Sequence, residues 1–94
     1  MEYRFMIYNE LMKEYQFPSI CETTEKGART CLFNAIGNDA RKYRFTIVKV
    51  EKEKAKELIT EMKMINKAKR IHRIISNIPF NEILELVRRD KWKY

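Results

Sequence analysis

Between Met62 and Asn81 the chain carries five cations and no carboxylate. They are Lys63, Lys67, Lys69, Arg70 and Arg73, with the only histidine, His72, in the same stretch. The segment reads as helix, so these charges have fixed spacing along an axis. Like charges held together repel one another unless solvent, salt or an anionic partner relieves them. Phosphate suits such a row, because cations that neutralise phosphates release condensed counterions. Counted at about 100° per residue, Lys52, Lys56, Lys63, Lys67 and Arg70 share a sector about 60° wide. Glu53, Glu57 and Glu61 form a neighbouring row that ends before the cluster begins. Lys52 and Lys56 therefore read as an ordinary solvated face, laced by Glu–Lys pairs of about 0.3 kcal/mol each. The later cations Lys63, Lys67, Lys69, Arg70 and Arg73 read as a binding cluster.

A second acid-free stretch runs from Ala40 to Val50 and holds Arg41, Lys42, Arg44 and Lys49. Tyr43 and Phe45 stand between its charges. Aromatics interleaved with cations on a strand can stack bases while the cations hold phosphate. The plainer reading is that Tyr43, Phe45 and Ile47 face a core, and it is the stronger of the two. A third basic element is the end of the chain, Arg88 to Tyr94, where Trp92 either covers the core or anchors a partner. Arg88 and Arg89 also suit a helix C-terminus on purely electrostatic grounds.

Catalytic chemistry finds little support. The chain lacks G-x-x-x-x-G-K-[ST], G-x-G-x-x-G and H-E-x-x-H. Ser19 and Ser76 sit in no nucleophile motif. Asp39 and Glu51 flank a strand without the clustered carboxylates that a metal-dependent nuclease needs. A metal-free ribonuclease using Arg, Lys, Tyr and His is the least unlikely enzyme, and His72 is its one imidazole. Cys21 and Cys31 form no C-x-x-C and have no nearby histidine, so no zinc site is expected. They read as reduced thiols of an intracellular protein. No cofactor is implied. Glu2 and Arg4 interrupt any secretory signal, and no apolar run approaches the ~18 residues of a membrane span.

The net charge of +7 is unevenly spread over the 94 residues. Residues 1–48 hold seven basic and six acidic groups, whereas residues 49–94 hold thirteen and seven. Such a surface attracts nucleic acid or an acidic protein. The length fits a single domain spanning 1–94, and a 45% hydrophobic content is enough for a core. A chain this short is marginally stable alone, which makes a homodimer plausible.

The elements that must position the cations follow from periodicity. Glu2–Tyr8 alternates and reads as a strand. Asn9 is expected to cap a short helix through Tyr15, which Phe17-Pro18 ends. Ser19–Thr24 is strand or loop, and Glu25-Lys26-Gly27 a turn. Arg29–Ile36 reads as a second strand, joined around Gly37-Asn38-Asp39 to a strand over Lys42–Val50 as an antiparallel hairpin. From Glu51 the period is helical. Ala55, Leu58, Ile59, Met62 and Ile65 form one stripe, while Met64, Ala68, Ile71 and Ile75 form another on a rotated face. Either one long helix packs on two sides, or it breaks near Asn66. Asn77-Ile78-Pro79 stops the chain, and Phe80, Ile83, Leu84 and Val87 mark a last helix. The pair around Ser76–Phe80 invites a helix-turn-helix reading, but its turn has proline and no glycine.

The expected architecture is α+β: a small antiparallel sheet of about three strands covered by two or three C-terminal helices. The expected function is a non-enzymatic, cytoplasmic nucleic-acid-binding protein whose partner is DNA or RNA. Phosphate contacts would come from Lys63, Lys67, Lys69, Arg70 and Arg73, helped by Arg41, Lys42 and Arg44. The alternative is a small interaction module or inhibitor docking on an acidic surface of a larger protein.

Overall fold

A computed structural model of the protein describes residues 2–89. Its elements are β1 (Tyr3–Asn9), β2 (Glu14–Gln16), α1 (Glu25–Ile36), α2 (Asp39–Lys42), β3 (Phe45–Glu51), α3 (Lys52–Ile74) and α4 (Phe80–Arg88). The fold is α+β, with a three-stranded antiparallel sheet in the order β2-β1-β3. Two compact units divide the chain, Met1–Ile59 and Thr60–Tyr94, and α3 runs unbroken from the first into the second.

In the first unit, β1 is central. It pairs with β3 along its whole length, from Tyr3 opposite Glu51 to Asn9 opposite Phe45. Alternation puts Phe5 and Ile7 of β1 on one face with Phe45 and Ile47 of β3. That face packs with Ile20 and with Ala28 and Leu32 of α1. Met6, on the opposite face of β1, is also fully buried.

Three expectations for this unit are corrected. The segment after Asn9 is a tight turn into β2 rather than a capped helix. Asn9 does act as a cap in miniature: its Oδ1 accepts from the backbone N–H of Leu11 (2.9 Å) and Met12 (3.1 Å), and its Nδ2 donates to Gln16 Oε1. Lys13 then takes a positive φ of 55°, which turns the chain back along β1 instead of onward into a helix. Arg29–Ile36 is the last two-thirds of helix α1 and not a strand. Thr24 caps it, accepting from the N–H of Gly27 at 3.0 Å, and Ala28 and Leu32 bury one stripe. Gly37-Asn38-Asp39 consequently makes no hairpin. Gly37, at φ 61°, ends α1 by donating to the Phe33 carbonyl, and the short helix α2 follows. The third strand is thus β2 rather than Arg29–Ile36. The segment Ser19–Thr24 resolves to an isolated bridge, Glu22 to Phe5.

In the second unit, α4 starts directly after Pro79, as the proline and the stripe from Phe80 predict. Ile83 and Val87 of α4 are buried with Ala68 and Ile71 of α3, and Met64, Ile75, Ile78, Phe80 and Leu84 pack around them. The second apolar stripe of α3 is therefore the α4 contact. The helix does not break near Asn66.

Candidate nucleic-acid interface

Burial of Ala68 and Ile71 against α4 fixes how α3 is rotated in the second unit. Lys63, Arg70 and Arg73 are exposed, and Lys67 and Lys69 are half-buried. At 1.5 Å rise per residue, Lys63 to Lys67 is about 6 Å along the axis and Lys67 to Arg70 about 4.5 Å. Among the described residues, Lys63, Arg70 and Arg73 have no ion-pair partner. Lys67, Arg70, Arg73, Ile71 and Ile74 line a pocket of about 530 Å³. Three cations thus converge on a shallow site with an apolar floor. Ile74 is 64% exposed there. Sequence reasoning passed over Ile74, because it falls outside both apolar stripes. Its large side chain on the cationic face was the available signal.

Arginine offers a planar fork of donors that matches phosphate oxygens in pairs, while lysine supplies a point charge. The apolar floor suits a sugar or a base edge next to the phosphate. The arrangement can bind and orient an anionic polymer. His72 is half-buried with its ring edge-on to Phe80, centroids 5.9 Å apart. It therefore helps seat α4 on α3. Among the described residues, no group of three or more His, Cys, Asp or Glu is placed to hold a metal ion.

The other basic residues differ in kind. Lys52 reaches Glu2 at 3.0 Å, and this bond and charge, aided by Arg4, hold the Glu2 carboxyl below its ordinary range. Lys54 pairs with Glu57 and Lys56 with Glu53. The first half of α3 is thus the laced, solvated face that its sequence suggests. Arg88 pairs with Glu61 and Arg89 with Glu85, so two tail cations are already compensated. The rest of that element, Asp90 to Tyr94 with Trp92, lies outside the described residues.

Arg41, Lys42 and Arg44 belong to the first unit, around α2 and the start of β3. All three are exposed. Lys42 pairs with Asp39 at 3.6 Å. Phe45 is half-buried against the sheet–α1 core and edge-on to Phe17 at 5.8 Å, so it is a packing residue and not a base platform. Tyr43 is 51% exposed beside it. Both cysteines are free. The Cys31 thiol donates to Glu22 Oε1 at 2.9 Å, and this bond, with burial and the carboxylate charge, pushes its pKa up. No helix of the described residues is long and apolar enough to cross a membrane.

Residues 3–49 match a protein-family model described as YoqE prophage protein. The match covers β1, β2, α1, α2 and most of β3, and stops before the cationic half of α3. No curated protein and no solved structure matches the chain.

Proposed function

The chain belongs to the YoqE prophage protein family, and we propose that this member is a small non-enzymatic nucleic-acid-binding protein. The phosphate grip comes from Lys63, Lys67, Lys69, Arg70 and Arg73 on α3. One observation carries the reading: an unbroken helix presents Lys63, Lys67, Arg70 and Arg73 at turn spacing, with Lys69 beside them and no carboxylate from Met62 to Asn81. Three of them converge on a pocket with apolar floor. Arg41, Lys42 and Arg44 contribute less, Lys42 being already paired with Asp39. On this reading the protein acts in the cytoplasm as a regulator or accessory factor.

The test is binding to fluorescent single- and double-stranded DNA and RNA across a salt series, with gels to detect cleavage. Each phosphate contact steepens the fall of log K with log salt by about 0.9 on duplex DNA, so three or four contacts give a slope near −3. Charge reversal at three positions together (K63E, K67E, R70E) lowers affinity by about 100-fold or more at moderate salt. Lys56→Gln, which removes a cation paired to Glu53, leaves it almost unchanged. Salt-insensitive binding, or binding indifferent to the triple reversal, refutes the assignment. Cleavage lost on changing His72 would make the protein a ribonuclease instead.

A further inference from the structure

The sheet has an open edge, and its hydrogen-bond phase shows which backbone groups it offers. Glu10 N–H donates to the Arg44 carbonyl, and Lys52 N–H donates to the Glu2 carbonyl. Both pairs continue the β1–β3 register, so even-numbered residues of β3 direct their backbone groups toward β1. Phe5 confirms the phase from the other side, since its N–H and carbonyl bond Glu22 and not β3. The odd-numbered residues Ile47 and Lys49 therefore turn N–H and carbonyl outward. Among the described residues, no backbone group meets them there.

Edge strands are ordinarily blunted by being short, by proline or by several charges. β3 is seven residues long, has no proline, and carries two charges, Lys49 and the terminal Glu51. A pocket of about 510 Å³ lies next to this edge. Leu32 and Phe33 of α1, Ala40 of α2, and Phe45 and Ile47 of β3 give it apolar walls. No residue of β1 or β2 lines it, so it sits at the β3 side of the sheet. Phe33 is 44% exposed. Arg41 lies on the rim and, among the described residues, has no ion-pair partner. The rim's other cation, Arg29, is paired with Glu25 at 3.0 Å.

We propose that the outer edge of β3 docks an extended segment of a partner protein, which adds as a fourth strand, seats an apolar side chain in this pocket and places a carboxylate at Arg41. The main-chain bonds would give affinity, and the alternating side chains specificity. The charge around the edge selects an acidic segment: Arg41 and Arg44 are both exposed, and neither is compensated among the described residues. A second copy of this chain is a poorer occupant. Its edge is itself basic, and pairing two β3 strands about Lys49 would set lysine against lysine.

The probe is a short synthetic peptide in which valine alternates with threonine and aspartate, titrated into the isotope-labelled full chain. The expected result is shifted, exchange-protected amides at Ile47 and Lys49. Lys49→Pro removes an outward N–H without touching the β1 ladder, a place where edge strands accept proline, and it abolishes binding. Arg41→Glu, on the exposed rim, weakens it by about tenfold. Lys49→Pro leaves nucleic-acid affinity unchanged, so this proposal and the α3 assignment fail separately. Three results would overturn it: unprotected Ile47 and Lys49 amides, equal binding of a peptide with lysine in place of aspartate, or a peptide-independent dimer closed through β3.

Discussion

The two units of this chain treat charge differently. Residues 1–59 contain eleven basic and nine acidic groups, whereas residues 60–94 contain nine and four. In the first unit, Arg4, Arg29, Lys42, Lys52, Lys54 and Lys56 each have a carboxylate within ion-pair distance. In the second, Glu61 and Glu85 pair with Arg88 and Arg89, and among the described residues Lys63, Arg70 and Arg73 have no ion-pair partner. Exposed pairs of this kind contribute little to stability. Their lesson is about availability: a compensated cation offers a partner little net charge, and an uncompensated one offers most of it. The same helix shows both states, laced before Glu61 and carrying the uncompensated Lys63, Arg70 and Arg73 after it. The family match covers the sheet unit and stops short of the cationic one, so the two also differ in how far kinship describes them.

The largest effects should come from breaking each core separately. Ile7 anchors the sheet–α1 core and Ile83 the α3–α4 core, both fully buried. Replacing a fully buried isoleucine by alanine costs about 2–5 kcal/mol through lost transfer energy and the cavity left behind. In a domain with total stability of about 5–15 kcal/mol, either change is severe. If the division at Ile59 and Thr60 has thermodynamic meaning, Ile83→Ala should strip amide protection from residues 60–89 first, while β1 and β3 remain protected. Ile7→Ala should do the reverse. Hydrogen exchange read residue by residue decides it. Simultaneous loss of protection across both units in either variant would show that α3 joins them into one cooperative body.

A smaller effect sharpens the contrast within the first unit. The hydrogen bond from Cys31 to Glu22 favours the protonated thiol, so folding raises its pKa. A group raised on folding contributes stability that is fully present below its unfolded pKa and is lost as pH rises through the folded value. The contribution therefore disappears at alkaline pH. At mildly alkaline pH, Cys31 should alkylate more slowly in the folded protein than in urea, because the thiolate is the nucleophile. Glu22→Gln should speed the folded-state reaction. Equal rates in wild type and variant would mean that burial, and not the carboxylate, sets the reactivity.

Much of this could be read from residues, and the failures have identifiable causes. Period-2 alternation located β1 and most of β3, and period-3.6 stripes located α3 and α4, because long elements repeat their pattern many times. The rotated second stripe of α3, Met64 to Ile75, already implied a second packing partner, and α4 is that partner. The strand assigned to Arg29–Ile36 failed on eight residues, where Cys31, Leu32, Phe33 and Ile36 fit a buried strand as well as a helix. Thr24 and Gly27, three residues apart, held the missing signal. Gly27 stands where a Cβ would come within 2.9 Å of the Thr24 hydroxyl, so it belongs to the cap and not to a turn. The α3 cations were legible because their signal is local: charge, spacing and absent acids. The open β3 edge was not, since an edge is defined by strand order, and strand order depended on β2, a strand of three residues.

The smallest effect belongs to the turn that makes β2 possible. Lys13 is exposed and holds φ at 55°, a region that glycine enters freely and a side chain with a Cβ enters at a cost. Lys13→Gly removes that cost, while adding conformational freedom to the unfolded chain that offsets part of the gain. The balance should be a stabilisation of about 0.5 kcal/mol, read as a rise in melting temperature of about 2–4 °C for a chain of this size. Phe17 shares the same sign of φ, at 62°, but is not equivalent. Its ring packs against the sheet–α1 core and lies edge-on to Phe45, so packing holds that backbone in place. Lys13 has no such packing, and the Asn9 side chain makes the turn through Leu11 and Met12. A fall in melting temperature for Lys13→Gly would show that the turn needs the stiffness of a side chain at this position more than relief from its strain.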